Sequence, residues 1–203
     1  STGSNESIGQ VAVGYSALEN CTSGTGNTAV GYQALDAEDD GDFNTAIGHQ
    51  ALTAQTGTSG EVSNTAVGHQ AAIAMTTGKH NVAIGKSALA TDTVGDTSTA
   101  VGYYALYSQA TASTAETGNT AVGRKAGYHN ETGTNNTYLG KQAGQGASGN
   151  SNSNNTAVGS GAMGTITTGG NNTAVGYRAG NDITEGGSNT AVGYRALADA
   201  DVA

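Results

Sequence analysis

Proline and tryptophan are absent from the 203 residues, and phenylalanine and cysteine occur once each. A single cysteine excludes an intrachain disulfide, so Cys21 reads as a packed small residue. Large apolar residues are scarce too: 13 Val, 7 Leu, 6 Ile and 1 Phe make about 13% of the chain. That lies below the roughly 20% under which chains are ordinarily disordered. Charge is equally thin at 11%, so self-repulsion does not hold the chain open. Only 7 basic residues oppose 16 acidic ones, for a net charge of −9. They are scattered along the chain, with no run longer than the pair Arg124-Lys125, and nucleic acid, which needs a basic stripe, is excluded as a partner. No apolar run approaches the roughly 20 residues that span a bilayer, so this segment is not expected to insert in a membrane. No signal-peptide pattern opens the chain.

What is plentiful is glycine, 33 residues, in a recurring nonapeptide. One copy reads Asn27-Thr28-Ala29-Val30-Gly31-Tyr32-Gln33-Ala34-Leu35, and eleven copies occur in all. Their fifth-position glycines, Gly14 to Gly193, are spaced 17, 17, 20, 17, 17, 21, 17, 19, 17 and 17 residues apart. A chain poor in core formers can fold when short units stack and share a core. Seventeen residues suit one coil of a parallel β-solenoid, with two short strands of about five residues and two tight turns. A helical pair needs about 33 residues or more, so α-solenoids fail on length. The expected fold is therefore all-β, one repeat domain over 1–203, about 50 Å long at about 4.8 Å per coil. Repeat-like sequence at both ends suggests a segment of a longer fibre.

Alternation assigns faces. The fourth position is apolar in every copy: Val13, Val30, Ile47, Val67, Ile84, Val101, Val122, Leu139, Val158, Val175 and Val192. The second position, on the same face, is Thr in nine copies and Val in two (Val11 and Val82). The third position is Ala in ten copies, with Tyr138 the exception, and the eighth is Ala in all eleven. Two facing ladders of Ala describe a thin roll. An Ala-filled interior buries little area at about 25 cal/mol per Å², set against about 1–2 kcal/mol of backbone ordering per residue. The aliphatic ladder then belongs at a subunit interface, and three copies about one axis are a compact closed solution.

The copy Asn81-Val82-Ala83-Ile84-Gly85-Lys86-Ser87-Ala88 resembles the head repeat of YadA-like trimeric autotransporter adhesins. The remaining copies are similar to repeats in bacteriophage tail fibres. The resemblance spans residues 8–198 and departs from the adhesin pattern in its Thr at the second position and its longer coil. It implies a left-handed β-roll, a homotrimer, and attachment to a surface through a glycan or protein receptor. The implied location is extracellular, on a virion tail fibre or a bacterial cell surface.

Candidate chemistry is sparse. His49 and His69 share the sixth position with Tyr, Lys and Arg, which marks a solvated edge, and His80 and His129 lack partners at metal spacing. The acidic run 36–42 lacks the EF-hand pattern and reads as a solvated loop. The Gly-rich turn Gly169-Gly170-Asn171 is followed by no Lys-Ser/Thr and opens no helix, and no nucleophile–base set recurs beside a plausible pocket. Neither enzyme activity nor cofactor is expected. First-position asparagines, Asn27 to Asn189, are expected to stack as an amide ladder. Three insertions lengthen loops around residues 55–60, 110–115 and 146–154, with Gln55, Thr58, Ser113, Gln145 and Asn150 as candidate recognition residues. Two other functions fit the pattern: an ice-binding solenoid presenting its Thr ladder, and a filament subunit without a receptor.

Overall fold

A computed structural model describes residues 8–56, 60–111 and 116–198. The strands are β1 (Val11–Val13), β2 (Thr28–Val30), β3 (Gly41–Asp42), β4 (Thr45–Ile47), β5 (Gly60–Glu61), β6 (Thr65–Val67), β7 (Val82–Ile84), β8 (Thr99–Val101), β9 (Thr120–Val122), β10 (Thr137–Leu139), β11 (Thr156–Val158), β12 (Thr173–Val175) and β13 (Thr190–Val192). Eleven of them form one parallel sheet in chain order, while β3 pairs with β5 alone. Register is strict: Thr28, Ala29 and Val30 lie opposite Thr45, Ala46 and Ile47, and each later pair repeats this. The chain is a parallel β-solenoid, with no helix among the described residues.

Strand content is lower than the sequence suggested: one three-residue strand per coil rather than two of about five. The rest of each coil is a run of turns whose N–H groups still reach neighbouring coils. Gly31 donates to the Val13 carbonyl at 2.7 Å, Gln33 to Tyr15 at 2.8 Å, Leu35 to Ala51 at 3.0 Å and Ala37 to Thr53 at 3.2 Å. Backbone pairing therefore continues where strand geometry stops, and absent prolines leave every N–H available for it.

The turn is built from positive-φ residues. Position five has φ of +139° at Gly31 and +134° at Gly102. A Cβ on Gly102 would sit 2.6 Å from the Gly123 carbonyl oxygen, so steric exclusion and backbone conformation both demand glycine. Positions seven and nine follow with φ of 50° at Gln33 and 54° at Leu35, repeated by Gln50 and Leu52. Left-handed non-glycine residues are strained by about 1–2 kcal/mol each. Coil-to-coil hydrogen bonds, about 1 kcal/mol net apiece, offset this.

Both Ala ladders face inward as expected, with Ala29, Ala46, Ala34 and Ala51 fully buried. The interior is nevertheless richer than two rows of methyl groups. Ninth-position Leu35, Leu52, Leu89, Leu106 and Met163 are fully buried beside them. Positive φ on both sides of position eight breaks the two-residue alternation, so positions eight and nine both turn inward. Position twelve forms another internal row: Cys21, Glu38, Gln55, Met75, Asp92, Gln109, Asn130, Ile166 and Ile183, all buried except the half-buried Cys21, with the exposed Ala147 the one twelfth residue among those described that stays outside it. The accessible surface, 8633 Å² for 19.9 kDa, matches the roughly 8,700 Å² of an ordinary folded monomer of that mass. Expected under-burial is thus corrected: flat coils stacked closely hide as much surface as a globular core.

The asparagine ladder exists but bonds mainly to backbone. Asn44 N–H donates to Asn27 Oδ1 at 2.7 Å and Asn81 N–H to Asn64 Oδ1 at 2.8 Å. The amide nitrogens of Asn27, Asn64 and Asn81 donate to the carbonyls of Gly41, Gly78 and Gly95 at 2.7, 2.6 and 2.8 Å. Direct amide-to-amide bonds join Asn136 to Asn119 at 3.2 Å and Asn189 to Asn172 at 3.0 Å. Buried polar side chains are otherwise costly, and here each buried first-position amide, Asn27 to Asn172, is satisfied on both sides.

Candidate functional site

Because residues two and four alternate with the inward residue three, the Thr and aliphatic columns project from the outer face of the sheet. The chain itself leaves the aliphatic column open. Val30, Val67, Val101, Val122 and Val158 are half-buried. Val13, Ile47, Ile84, Leu139, Val175 and Val192 are exposed, by 39% at Ile47 and 47% at Leu139. The Thr column beside it is half-buried from Thr28 to Thr120. Apolar side chains in register along ten coil steps make one continuous stripe, which is unusual on a monomer surface.

The glycine bend places position six on the adjoining edge. Rings there stack at coil spacing: Tyr15 on Tyr32 at 5.5 Å, Tyr32 on His49 at 5.0 Å and His49 on His69 at 5.1 Å. The edge is solvated, with Tyr32, His49 and His69 all exposed. Beside position seven, the tenth residue of each coil continues the surface. Tyr107 and Tyr128 stack there at 5.2 Å, Tyr104 meets Tyr107 edge-on at 5.0 Å, and Lys125 Nζ lies 5.0 Å from the Tyr128 ring. His129 packs edge-on against Tyr128 at 4.5 Å, and burial holds its imidazole below the ordinary value. This cluster was missed in the sequence because tenth-position tyrosines occur in only two coils. His80 is an exposed turn residue with φ of 57°.

Two of the candidate recognition residues are corrected. Gln55 is fully buried in the position-twelve row, donating to the Thr76 carbonyl at 2.9 Å and accepting from Asn64 at 3.1 Å. Asn150 is buried too, its amide donating to the Ile166 carbonyl at 3.0 Å. Each completes the inner row at the root of an insertion, which a loop boundary drawn from sequence cannot reveal. Gln145 is half-buried on the outer edge and accepts from Gln142 at 2.7 Å. Thr58 and Ser113 lie outside the described residues.

The acidic turn also differs from a solvated loop. Glu38 is fully buried and accepts from Gly41 N–H at 2.7 Å and from Asn44 Nδ2 at 3.2 Å. Burial raises its carboxyl above the usual range, against the lowering effect of the Gly41 hydrogen bond. Carboxylate oxygens of Glu38, Asp39 and Asp40 lie within 4.8 Å of one another. Both Glu38 oxygens are already engaged internally. Burial likewise pushes the Cys21 thiol up, as befits an inert packed cysteine rather than a reactive one. Among the described residues, no helix is long and apolar enough to cross a membrane. Compared with family models, curated proteins and solved structures, the chain finds no match in any of the three.

Proposed function

We propose that this chain is a structural and adhesive fibre segment, three copies wound about one axis, that attaches its owner to a host cell or other surface. The role is mechanical and binding rather than catalytic. Its place is outside the cell, on a virion tail fibre or a bacterial surface. The roll would take the left-handed form of YadA-like heads.

The observation that carries this reading is the aliphatic stripe, which each chain exposes along its whole length although its own interior is well filled. Covering what each side chain leaves exposed recovers about 1 kcal/mol per rung, or about 10 kcal/mol per chain. The fourth-position residues Val13 to Val192 are the proposed contact between chains. Light scattering is the direct test: a particle of three 19.9 kDa chains, about 60 kDa, is expected. A folded species of single-chain mass overturns the trimer. Binding of fluorescent rods to a panel of bacterial and eukaryotic cells then separates adhesion from a filament that only spans distance.

A second reading has its own observation: the Thr column runs in strict register at about 4.8 Å spacing. Such an array suits ice, although Val11 and Val82 interrupt it. Thermal hysteresis in the isolated rod would favour that reading over adhesion.

A further inference from the structure

The outer edge beyond the glycine bend is lined by positions six, seven and ten of successive coils. In one coil all three are small: Ser160, Gly161 and Gly164. The preceding coil carries Lys141, Gln142 and Gln145 there, and the following coil Tyr177, Arg178 and Asn181. Together these nine residues line a notch of about 280 Å³. Its walls are two coil steps apart, about 10 Å, which accommodates one saccharide ring with a contact on either side.

The walls are braced. Gln142 Nε2 donates to Gln145 Oε1 at 2.7 Å, and the Arg178 guanidinium sits 5.5 Å from the Tyr177 ring centre. The floor has to be small for this to work. A Cβ on Gly164 would stand 2.9 Å from Asn181 Oδ1, and one on Gly161 would stand 3.3 Å from Arg178 Cγ. Side chains of the later coil therefore lean over the glycines of the earlier one.

The chemistry of the lining selects a ligand class. Lys141 and Arg178 are two of only seven basic residues in a chain of net charge −9. None of the lining side chains is acidic; Asp182 follows Asn181 in sequence and accepts from its amide at 3.4 Å. Amides of Gln142, Gln145 and Asn181 and the Ser160 hydroxyl both donate and accept, which matches the vicinal hydroxyls of a sugar. Tyr177 stacks on Tyr194 at 5.5 Å and carries the Arg178 guanidinium over its ring, so it serves the notch as the wall that holds Arg178 in place. A simple inorganic anion would use the two cations and leave the amides and the Ser160 hydroxyl idle. We infer that the notch at Ser160, Gly161 and Gly164 binds one carboxylate-bearing sugar unit of a surface glycan, the carboxylate directed to Lys141 and Arg178 and the hydroxyls to the amides. Naming a glycan rests on the adhesive reading above.

Saturation-transfer NMR of the full chain with sialyllactose, a digalacturonate and neutral lactose tests this. The acidic sugars are expected to bind roughly tenfold or more tightly than lactose, from charge-assisted hydrogen bonds. The double variant Lys141→Gln/Arg178→Gln should reduce them to the lactose level. Ser160→Tyr fills the floor with the residue that five other coils carry at position six, so the rod still folds while binding is lost. Equal affinity for lactose, full retention by Ser160→Tyr, or no binding of either acidic sugar overturns the inference. Cell attachment of the unmodified rod is measured separately. Rods that attach to cells yet ignore both acidic sugars overturn the notch and leave adhesion standing. Rods that take an acidic sugar yet attach to no cell overturn adhesion and leave the notch.

Discussion

Tyr138 replaces the third-position Ala of every other coil and is fully buried, its hydroxyl donating to Asn152 Oδ1. Room for the ring comes from its own coil and the one before, where the ninth residues are Gly144 and Gly127 rather than Leu. A Cβ on Gly127 would lie 2.7 Å from Tyr138 Cδ2, and one on Gly144 would lie closer still to the ring. Tyr138→Ala therefore opens an aromatic-sized cavity, expected to cost about 3–5 kcal/mol. Asn152 Oδ1 keeps the Asn155 amide as a donor at 2.8 Å, so the lost hydrogen bond adds only about 1 kcal/mol. The remedy is already written in the repeat. Gly127 and Gly144 have φ of 59° and 55°, where Leu35 and Leu52 have 54° and 50°. Gly127→Leu/Gly144→Leu should prevent folding of these coils beside Tyr138, whereas combining it with Tyr138→Ala rebuilds the common coil. A favourable coupling of about 3 kcal/mol is expected. Urea unfolding followed by circular dichroism measures it. Hydrogen exchange at Ala121 and Ala143 localises the damage, since a solenoid opens coil by coil. Additive destabilisation in the triple variant would refute the packing argument.

Three further outcomes follow from the same geometry. Gly102→Ala meets the Gly123 carbonyl at 2.6 Å and should lose about 3 kcal/mol or more in urea titration. Gly193→Ala, whose nearest new neighbour is Ala196 Cβ at 4.0 Å with φ of +126°, should suffer only the backbone strain of about 1–3 kcal/mol. Replacing Ile47 and Val101 together by Lys puts two charges on the aliphatic stripe, and light scattering should register a fall from about 60 kDa toward the 19.9 kDa chain. A mass unchanged by both lysines would remove the stripe from the interface. Glu38 has a raised carboxyl pKa, so the folded state binds its proton more tightly and stability falls as pH rises between the unfolded and folded values. Glu38→Gln, which copies Gln55 and Gln109 in the same row, should be the more stable protein at neutral pH, with the difference vanishing on acidification. Thermal melts across pH 3–8 check this, and an advantage for wild type at pH 7 would contradict it.

Much of this molecule is written along its length. Glycines at a 17-residue beat declare stacked coils, because the repeat is too short for helical pairs. Inward Ala29 and Ala34, outward Val30 and the asparagine spine were all legible, since a strand alternates its faces and a ladder repeats its residue types. Other features were hidden. Leu35 lies inside next to Ala34 only because positive φ at positions seven and nine cancels alternation, and no residue type announces that conformation when Gln and Leu adopt it. Gln55 and Glu38 look like loop residues until the turn folds back and points them at the asparagine spine. Tyr138 looks like an irregularity until Gly127 and Gly144 are seen around it. The notch follows the same rule: Ser160, Gly161 and Gly164 become a binding surface only through the side chains of the coils on either side. Sequence determined the period and the faces, because those depend on neighbours along the chain. Tertiary stacking decided what fills each space, because that depends on residues about seventeen positions away.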